Sequence, residues 1–365
     1  MSLAQWGIVV ARVLATFGLL LVVTVLNVWA ERKILADMQS RIGPNRAGPW
    51  GILQTVADGM KLFFKESVIP RKVELGMYLM APMLAVIPAF LMFMVIPWGA
   101  PLTVGGRELA LQGADLNIGL LFILAMSSIA VYAVVMAGWS SGSKYPLLGG
   151  IRATAQAISY EAAMGLAMVS VVVFSATQGE GGGTLSLAEL VARQSGNWGD
   201  VSSFAAWIPR WNIFPQFVAF AIFFIAIVAE TNRAPFDLVE AEQELVGGFH
   251  TEYSGMRFAM FFLAEYINIF TMSALAATLF LGGWNGPTFA GVVPGFVSAV
   301  LPTVWFLVKT YVIVFLFFWI RATLPRLRYD QLMDLGWKRL IPTALAWFIL
   351  STVVTAFRLF GTPWS

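Results

Sequence analysis

The chain alternates between long apolar stretches and short polar segments. Eight of the apolar stretches have the length that an α-helix needs to cross the hydrocarbon core of a bilayer, about 20 residues. The predicted spans are 7–30, 76–97, 116–139, 153–176, 214–230, 257–283, 297–324 and 339–358. Strands of a membrane barrel are about half as long and alternate in polarity. The pattern therefore predicts an all-α polytopic membrane protein, with residues 1–365 forming one transmembrane domain.

The basic residues indicate which side of the membrane the loops face. Seventeen of them lie in or beside four loops on one side of the predicted bundle, and three lie on the other side. The four loops are 31–75, 140–152, 231–256 and 321–338. Because cytoplasmic loops carry an excess of Lys and Arg, these loops are predicted to be cytoplasmic and both termini to be outside. The residues before the first span carry no basic side chain, which argues against a cleaved signal peptide.

Composition supports the membrane assignment and excludes several kinds of site. Hydrophobic residues make up 59% of the chain, charged residues make up 12%, and the mean hydropathy is +0.77. There is no cysteine, which excludes iron–sulfur clusters and thiolate zinc sites on this chain. The only histidine is His250, which excludes a site built from several histidines. Redox cofactors, if the protein serves redox chemistry, would belong to its partners.

Residues 50–66 are too short and too charged to span, yet their apolar side chains recur at helical spacing. Such a segment predicts an amphipathic helix in the plane of the interface. It could simply anchor the chain between spans, or Asp58 and its neighbouring lysines could line an access route or face a partner. The preceding segment 41–51 contains two Gly-Pro pairs, which predict a stiff, turned loop. Arg41 and Arg46 project from it, so it could serve as a docking surface.

Glu161, Glu230, Glu265 and Lys309 are ionisable residues that lie within or at the end of predicted spans. Each such group costs about 2.5–3.5 kcal/mol at mid-membrane, so these residues tend to face the protein interior and to be functional. Each could make an internal hydrogen bond or ion pair instead, an alternative that is strongest for Lys309. Because burial disfavours the ionised form of a carboxyl group, three carboxyls at similar depth could take up and release protons.

An acidic segment follows the fifth span, with the sequence ETNRAPFDLVEAEQE (230–244). It sets Arg233 against five acids: Glu230, Asp237, Glu240, Glu242 and Glu244. It could be a solvated acidic loop. Alternatively, because neighbouring negative charges favour protonation of one another, the acids could load and release several protons together. They would then connect the cytoplasmic face to the buried glutamates.

Four blocks of sequence resemble one known family in order and spacing. The blocks are ERKILADMQSRIGPNRAGPWGILQTVADGMKLFFKE (31–66), AGWSSGSKYPLLGGIRATAQAISYE (137–161), AETNRAPFDLVEAEQELVGGFHTEYSGMRFAMFFLAEY (229–266) and WIRATLPRLRYDQLMDLGWK (319–338). The chain thus resembles the H subunit of bacterial NADH:quinone oxidoreductase, respiratory complex I. That family joins the hydrophilic redox arm to the proton-pumping membrane arm.

The resemblance implies roles for individual residues. It implies a quinone chamber whose wall includes Glu31, Arg32, Arg41, Asp58 and Phe262. It implies a proton-coupling set made of Glu161, Glu230, Glu240, Glu242, Glu244 and Glu265. Further charged or polar positions of the family's pattern are Arg46, Arg233, Tyr253, Lys309, Arg321 and Arg326.

The resemblance also implies partners, a location and an activity. The chain would be a subunit of a proton-translocating NADH:quinone oxidoreductase in the bacterial inner membrane, with no cofactor, metal or redox centre of its own and with quinone as substrate. FMN, iron–sulfur clusters and the NADH site would belong to peripheral-arm partners at the cytoplasmic face, beside small and antiporter-like membrane subunits. The equivalent subunit of a membrane-bound hydrogenase or another quinone-type dehydrogenase is the alternative. A free-standing transporter or a passive anchor fits less well, because no internal repeat is visible and an anchor needs no buried glutamates.

Overall fold

The structure, a computed structural model, describes residues 3–104, 107–179, 182–196, 209–237, 246–287 and 295–360. That part of the chain forms eleven α-helices and one antiparallel hairpin. The helices are α1 (Leu3–Met38), α2 (Gln54–Phe64), α3 (Leu75–Met94), α4 (Gly119–Ser140), α5 (Lys144–Ser175), α6 (Leu187–Arg193), α7 (Phe217–Glu230), α8 (Met256–Phe280), α9 (Gly295–Thr323), α10 (Tyr329–Asp334) and α11 (Ile341–Phe360). The strands are β1 (Gly99–Val104) and β2 (Arg107–Leu111).

Long apolar helices dominate the described residues. Seven of them have the length and hydropathy to cross a membrane, with α10 and α11 joined into one of the seven through the π-helical turn Leu335–Leu340. The remaining predicted span, 214–230, corresponds to α7, which is apolar but only 14 residues long. The prediction of an all-α polytopic membrane fold is therefore confirmed.

Several helices extend past the ends of the predicted spans. Helix α1 runs on to Met38, and α5 begins at Lys144, so most of the predicted loop 140–152 is helical. The predicted loop 321–338 is helical from Tyr329 onwards. These boundaries differ because hydropathy marks only the apolar part of a helix, whereas the helix itself continues into polar turns. Pro146 does not interrupt α5, since it lies in the first turn, where its missing N–H has no helical partner to lose.

Helix α8 is the central helix of the bundle. It packs against α1, α3, α7 and α9, and residues 269–280 are almost completely buried. Three alanines on this stretch, Ala274, Ala276 and Ala277, have no exposed surface, and small side chains let neighbouring helices approach closely. The N-terminal half of the same helix carries Phe262, Glu265 and Tyr266. The packing of α8 therefore fixes where these side chains lie.

Helix α7 ends inside the bundle. Fourteen residues rise about 21 Å, less than the roughly 30 Å of the hydrocarbon core. The segment 231–237 that follows is irregular but buried, with Thr231, Arg233 and Phe236 at most 5% exposed. Irregular backbone at membrane depth is tolerated only where protein or internal water satisfies its polar groups. Gln156 of α5 satisfies two backbone carbonyls here, because its side-chain amide donates to those of Ala229 (2.7 Å) and Phe236 (2.8 Å).

The four loops predicted to share one side of the membrane meet at one end of the bundle, called here the basic end. Hydrogen bonds join them in pairs: Val68 N to Ser254 Oγ at 2.9 Å, Leu327 N to Pro235 O at 2.9 Å, and Glu74 N to Ser140 O at 3.0 Å. The topology that hydropathy and charge predicted is thus compatible with the observed contacts.

The predicted amphipathic segment forms α2. Its apolar side chains Val56, Met60, Phe63 and Phe64 are each at least 47% exposed, and no residue of α2 is buried. The turn that leads into α2 depends on Gly51, which has a φ of +77°. A Cβ at this position would lie 2.4 Å from the Pro44 backbone. The second Gly-Pro loop therefore folds onto the first, as a stiff turn.

Two short elements at the opposite end of the bundle were not expected from the sequence. One is the β1–β2 hairpin, and the other is α6, whose first turn is capped by Ser186 accepting from the amide of Glu189. The Glu189 carboxylate accepts hydrogen bonds from Thr184 (2.5 Å) and Arg193 (2.6 Å). The hydrogen bond from Thr184 has the larger effect and that from Arg193 the smaller, and together they hold the pKa of Glu189 below its usual range. This outer carboxylate therefore stays ionised.

Candidate functional site

Six of the predicted site residues line two places near the basic end. The first is an open groove lined by Glu31, Arg32, Leu35, Gln39, Tyr266, Arg321 and Ala322. The second is a cavity of about 100 Å³ enclosed by α3, α4, α5, α7, α8 and the 3₁₀ turn Gly248–His250. Its polar lining residues include Ser127, Glu230, Asn232, His250, Glu265 and Asn268.

Glu31 is the buried anion of the groove. It is 2% exposed, although it lies on α1 beyond the predicted end of the first span. Arg321 of α9 donates a hydrogen bond to its Oε1, and Arg233 lies 3.7 Å from the same oxygen. The Tyr266 hydroxyl is a further hydrogen-bond partner. Two guanidinium groups and a hydroxyl therefore compensate one carboxylate that α1 carries into the bundle.

Arg233 connects the groove to the cavity. Its side chain is 5% exposed, and it lies between Glu31 and Glu265, whose Oε1 is 3.4 Å from Arg233 Nε. Its guanidinium also lies 4.7 Å from the centre of the Tyr266 ring, where a cation–π contact is favourable. The result is a chain of alternating charges, Arg321–Glu31–Arg233–Glu265, which begins in the groove and ends in the cavity wall.

Asp58 of α2 joins this arrangement through Arg32. Arg32 Nη1 lies 2.5 Å from Asp58 Oδ2, and Gln54 and Lys61 lie 3.3 Å and 3.8 Å from Asp58 Oδ1. Partial burial opposes ionisation of Asp58, but the hydrogen bond and charge of Arg32 outweigh it and keep its pKa below the usual value. Asp58 is therefore ionised at neutral pH, and it ties the amphipathic helix to the groove.

The cavity has room for about three water molecules. Two polar atoms of its lining residues, Glu230 Oε2 and Asn268 Oδ1, are buried and have no hydrogen-bond partner among the described residues. Buried polar atoms of this kind are normally satisfied by protein or by internal water. The cavity can therefore hold a short hydrogen-bonded connection between Glu230 and Glu265.

Two adjacent serines on α4 hold two of the predicted carboxylates. Ser127 Oγ donates to Glu230 Oε1, and Ser128 Oγ donates to Glu161 Oε1 at 2.5 Å. Since neighbouring residues of one helix lie at nearly the same height, Glu161 and Glu230 lie at similar depth. The structure thus brings Glu161, Glu230 and Glu265 around the same part of the bundle, although Glu161 does not line the cavity.

Phe262 lies in the cavity wall rather than in the groove. It is one of a row of aromatic side chains on α8 and contacts Phe258 and Tyr266, with ring centroids 4.9 Å and 6.3 Å away. Three of the five chamber residues implied by the resemblance are therefore divided between the two places. Glu31 and Arg32 line the groove, and Phe262 lines the cavity.

Other predicted residues lie apart from the groove and the cavity. Arg41, Arg46 and Arg326 are exposed at the basic end, with Arg41 donating to Gln39 at 2.7 Å. Tyr253 stacks on Tyr78 with ring centroids 4.2 Å apart, and burial raises its pKa to about 12, so it remains a neutral hydroxyl. Glu240, Glu242 and Glu244 lie outside the described residues.

Lys309 has a separate role near the opposite end of the bundle. Its Nζ donates to the carbonyls of Leu281 (2.6 Å), Gly283 (3.0 Å) and Asn285, just beyond the end of α8. It also lies 4.4 Å from the centre of the Trp211 ring. A cation that satisfies carbonyls at a helix C-terminus is stabilising. Internal hydrogen bonding, the stronger alternative from the sequence, therefore describes this residue.

Replacing Lys309 by Met is expected to destabilise the protein in its native assembly. Each buried carbonyl left without a donor costs about 1–3 kcal/mol. The temperature of thermal unfolding should fall, while Lys309→Arg, which keeps a cation, should lose less. An unchanged unfolding temperature in Lys309→Met would contradict the helix-capping role.

Gln156, His250 and Tyr266 belong to the site but were not selected from the sequence. Gln156 is uncharged, so it does not stand out in an apolar span, and its role depends on the buried course of residues 231–237. Tyr266 follows Glu265 directly, yet faces Glu31 on a distant helix. His250 stands out in the sequence only as the single histidine of the chain. In the sequence, Gln156 and Tyr266 are marked only by their closeness to a glutamate within a predicted span, Glu161 and Glu265 respectively.

Comparison with known families matches residues 11–352 to the family described as NADH dehydrogenase. The matched segment includes all four sequence blocks that carried the resemblance. It also includes every residue of the groove and the cavity.

Proposed function

The chain belongs to the NADH dehydrogenase family, and we propose that it is the membrane subunit of NADH:quinone oxidoreductase that receives quinone and couples quinone reduction to proton translocation. The family membership confirms the resemblance found in the sequence. In the proposal, the groove is part of the quinone-access chamber. The cavity with its surrounding carboxylates is the proton-coupling site.

The observation that carries this proposal is the chain of charges Arg321–Glu31–Arg233–Glu265. Two unit charges about 4 Å apart interact by about 4 kcal/mol at an effective dielectric constant of about 20. The reduction and protonation of a nearby quinone would change the charge beside Glu31, and therefore the attraction between Glu31 and Arg233. The same guanidinium also compensates the charge of Glu265. Movement of Arg233 towards one carboxylate leaves the other less compensated, which changes its affinity for a proton.

The electrons and their cofactors come from partner subunits in this proposal. NADH, FMN and the iron–sulfur clusters belong to the peripheral arm, which binds at the basic end on the cytoplasmic side of the bacterial inner membrane. Quinone enters from the bilayer beside the amphipathic helix α2 and is reduced against partner side chains. This chain has no redox centre of its own, and its residues bind the quinone and transmit the change. Both termini of the chain face the periplasm. Small and antiporter-like membrane subunits pack against its membrane-embedded surface.

Isolation of the native assembly tests the identity of these partners. We expect an FMN-containing NADH-oxidising subunit, iron–sulfur subunits and antiporter-like subunits to co-purify with this chain. A nickel–iron hydrogenase subunit in place of the NADH-oxidising one would favour the hydrogenase alternative instead. A chain that purifies alone or only with copies of itself would favour a free-standing transporter.

Asp58→Asn is expected to slow NADH:quinone reductase activity about tenfold while leaving NADH oxidation by ferricyanide unchanged. Asparagine loses the ionic contact that ties α2 to Arg32 and the groove, and a charge-assisted hydrogen bond contributes about 1.5–3 kcal/mol. Both rates are measured on the purified complex. Glu66→Gln, which removes an exposed carboxylate just beyond α2, is the matched control and should behave like the native protein. Equal loss in both assays would count against a position in the quinone chamber.

A further inference from the structure

Consecutive positions of α4 donate to carboxylates that lie on two different helices. Ser127 Oγ donates to Oε1 of Glu230, the last residue of α7, and Ser128 Oγ donates to Oε1 of Glu161 on α5 at 2.5 Å. Hydroxyl-to-carboxylate hydrogen bonds of this length are charge-assisted. Helix α4 itself carries no charged residue, so these two hydroxyls are what it offers to the carboxyls.

Two serines of other spans bond their own helix instead. Ser170 of α5 and Ser273 of α8 each donate to the carbonyl four residues earlier, at 2.9 and 2.7 Å. Such a local bond is the usual one for a serine inside a helix. Ser127 is also buried, but its hydroxyl donates to a side chain on another helix. The placement of the Ser127–Ser128 pair therefore points to the carboxyls rather than to α4.

The hydroxyl of Ser128 has a second acceptor within reach. Its Oγ lies 3.1 Å from the carbonyl oxygen of Leu124 as well as 2.5 Å from Glu161. A hydroxyl donates one hydrogen and accepts through its oxygen. Ser128 can therefore donate to an ionised Glu161, or accept from a protonated Glu161 and donate to Leu124. The hydrogen bond between the two side chains is available in both protonation states.

The hydroxyl of Ser127 occupies one oxygen of Glu230 and leaves the other free for the cavity. Both residues line the cavity, and Glu230 Oε2 is buried without a hydrogen-bond partner among the described residues. That second oxygen is the one that water or a proton in the cavity can reach. The charges of Glu161 and Glu230 also act on each other. The serine pair thus holds two interacting carboxyls at one height of the bundle.

Other titratable groups lie on the elements packed around these carboxyls. At the cavity they are Glu265 of α8, His250 of the 3₁₀ turn, and Arg233, which pairs with Glu265. Helices α10 and α11 and the turn between them also pack against α5 and carry Asp334, Lys338, Arg339 and Arg358. Lys338 Nζ lies 2.9 Å from Asp334 Oδ1. All of these groups stay the same when a serine is replaced, so a difference between serine variants reports on the two carboxyls.

We propose that Ser127 and Ser128 are positioning residues of the proton-coupling site, which hold Glu230 and Glu161 at one depth and stabilise their ionised forms. This inference rests on the proposed function and deepens it. A hydrogen bond donated to the ionised form of a carboxyl favours that form. Each hydroxyl therefore offsets part of the cost of a carboxylate at membrane depth, so that its carboxyl can release a proton as well as take one up. Because the two serines are adjacent on one helix, a movement of α4 acts on both carboxyls together.

Ser127→Ala and Ser128→Ala in the assembled complex, reconstituted into vesicles, are the first test. The number of protons pumped for each NADH oxidised is measured with a pH-sensitive dye over a series of pH values, and NADH oxidation by ferricyanide reports assembly. Loss of the donated hydrogen bond favours the protonated carboxyl. We therefore expect the acidic limb of the pH profile to shift to higher pH by about one unit in each variant.

Two further variants separate the hydroxyl from the packing of the helices. Ser170→Ala removes a hydroxyl that bonds the Leu166 carbonyl of its own helix, and its pH profile should match the native one. Ser128→Thr restores a hydroxyl at this exposed position and should return the acidic limb to its native pH. A role in packing alone would not make the pH profile follow the hydroxyl.

Ser128→Ala introduced into Glu161→Gln tests whether the serine acts through its carboxyl. The pumping that remains in Glu161→Gln should have the same pH profile with and without the serine change, because the titrating group is already absent. A further shift in this double variant would overturn the proposal, as would an equal shift in Ser170→Ala. A native profile in either alanine variant, or its failure to assemble, overturns the proposal for that serine. If Glu161→Gln and Glu265→Gln both pump normally, the proposed function itself fails, whereas native profiles in the serine variants beside loss in these two refute only the positioning role.

Discussion

Arg233→Met is expected to abolish coupled quinone reduction in the assembled complex. Arg233 is 4% exposed, and its guanidinium lies 3.7 Å from Glu31 and 3.4 Å from Glu265. Removing one partner of a buried ion pair costs about 3–5 kcal/mol, because the remaining charge is left without compensation. Glu31 keeps Arg321 as an ionic partner in this variant, whereas the ion pair between Arg233 and Glu265 is lost. NADH:quinone reductase activity and proton pumping should both fall to near background.

Two further variants separate loss of charge from loss of assembly. Arg233→Lys keeps the charge but lacks the planar fork that reaches two carboxylates, so it should retain only partial pumping. Arg233→Met combined with Glu265→Gln removes one cation and one carboxylate together, so assembly should recover while pumping stays absent. Pumping at the native rate in Arg233→Met would show that the groove and the cavity are not coupled through this residue.

The sequence could predict which residues carry charge at depth, but not which of them meet. An ionisable side chain inside an apolar span is rare enough to be a direct signal, and Glu161, Glu230 and Glu265 were identified in this way. The Glu31–Arg321 pair joins residues 290 positions apart, so no local pattern contains it. Arg233 was visible only as one base among acids, because its buried position depends on the early end of α7.

The helices were predicted well and the connections between them less well, for a related reason. Apolar length identifies a helix that crosses lipid, whereas the course of residues 231–237 depends on Gln156. From another helix, Gln156 donates to the carbonyl of Ala229, just before this segment, and to that of Phe236, within it. Residues 231–237, at the start of a predicted cytoplasmic loop, are therefore buried or partly buried. Lys309 shows the same limit, since only the fold reveals that its partners are the carbonyls that follow α8.

Glu265→Gln is expected to uncouple proton pumping from quinone reduction while the complex still assembles. Glutamine keeps the size and hydrogen bonding of the side chain but cannot take up or release a proton. Arg233 retains Glu31 as an ionic partner in this variant, so the packing cost is smaller than that of Arg233→Met. The number of protons pumped for each NADH oxidised should fall severalfold, and Glu161→Gln, whose native carboxylate accepts from Ser128, should have the same effect.

Glu189→Gln is the matched control for these two variants. It makes the same chemical change at the opposite end of the bundle, where Thr184 and Arg193 keep the carboxylate ionised. Its complex should pump like the native one, so a shared loss in all three variants would indicate general damage rather than loss of a titrating group. Full pumping in both Glu161→Gln and Glu265→Gln would refute the coupling role of the buried carboxylates. Loss in only one would restrict the proton route to the carboxylate concerned, because the cavity wall contains Glu265 but not Glu161.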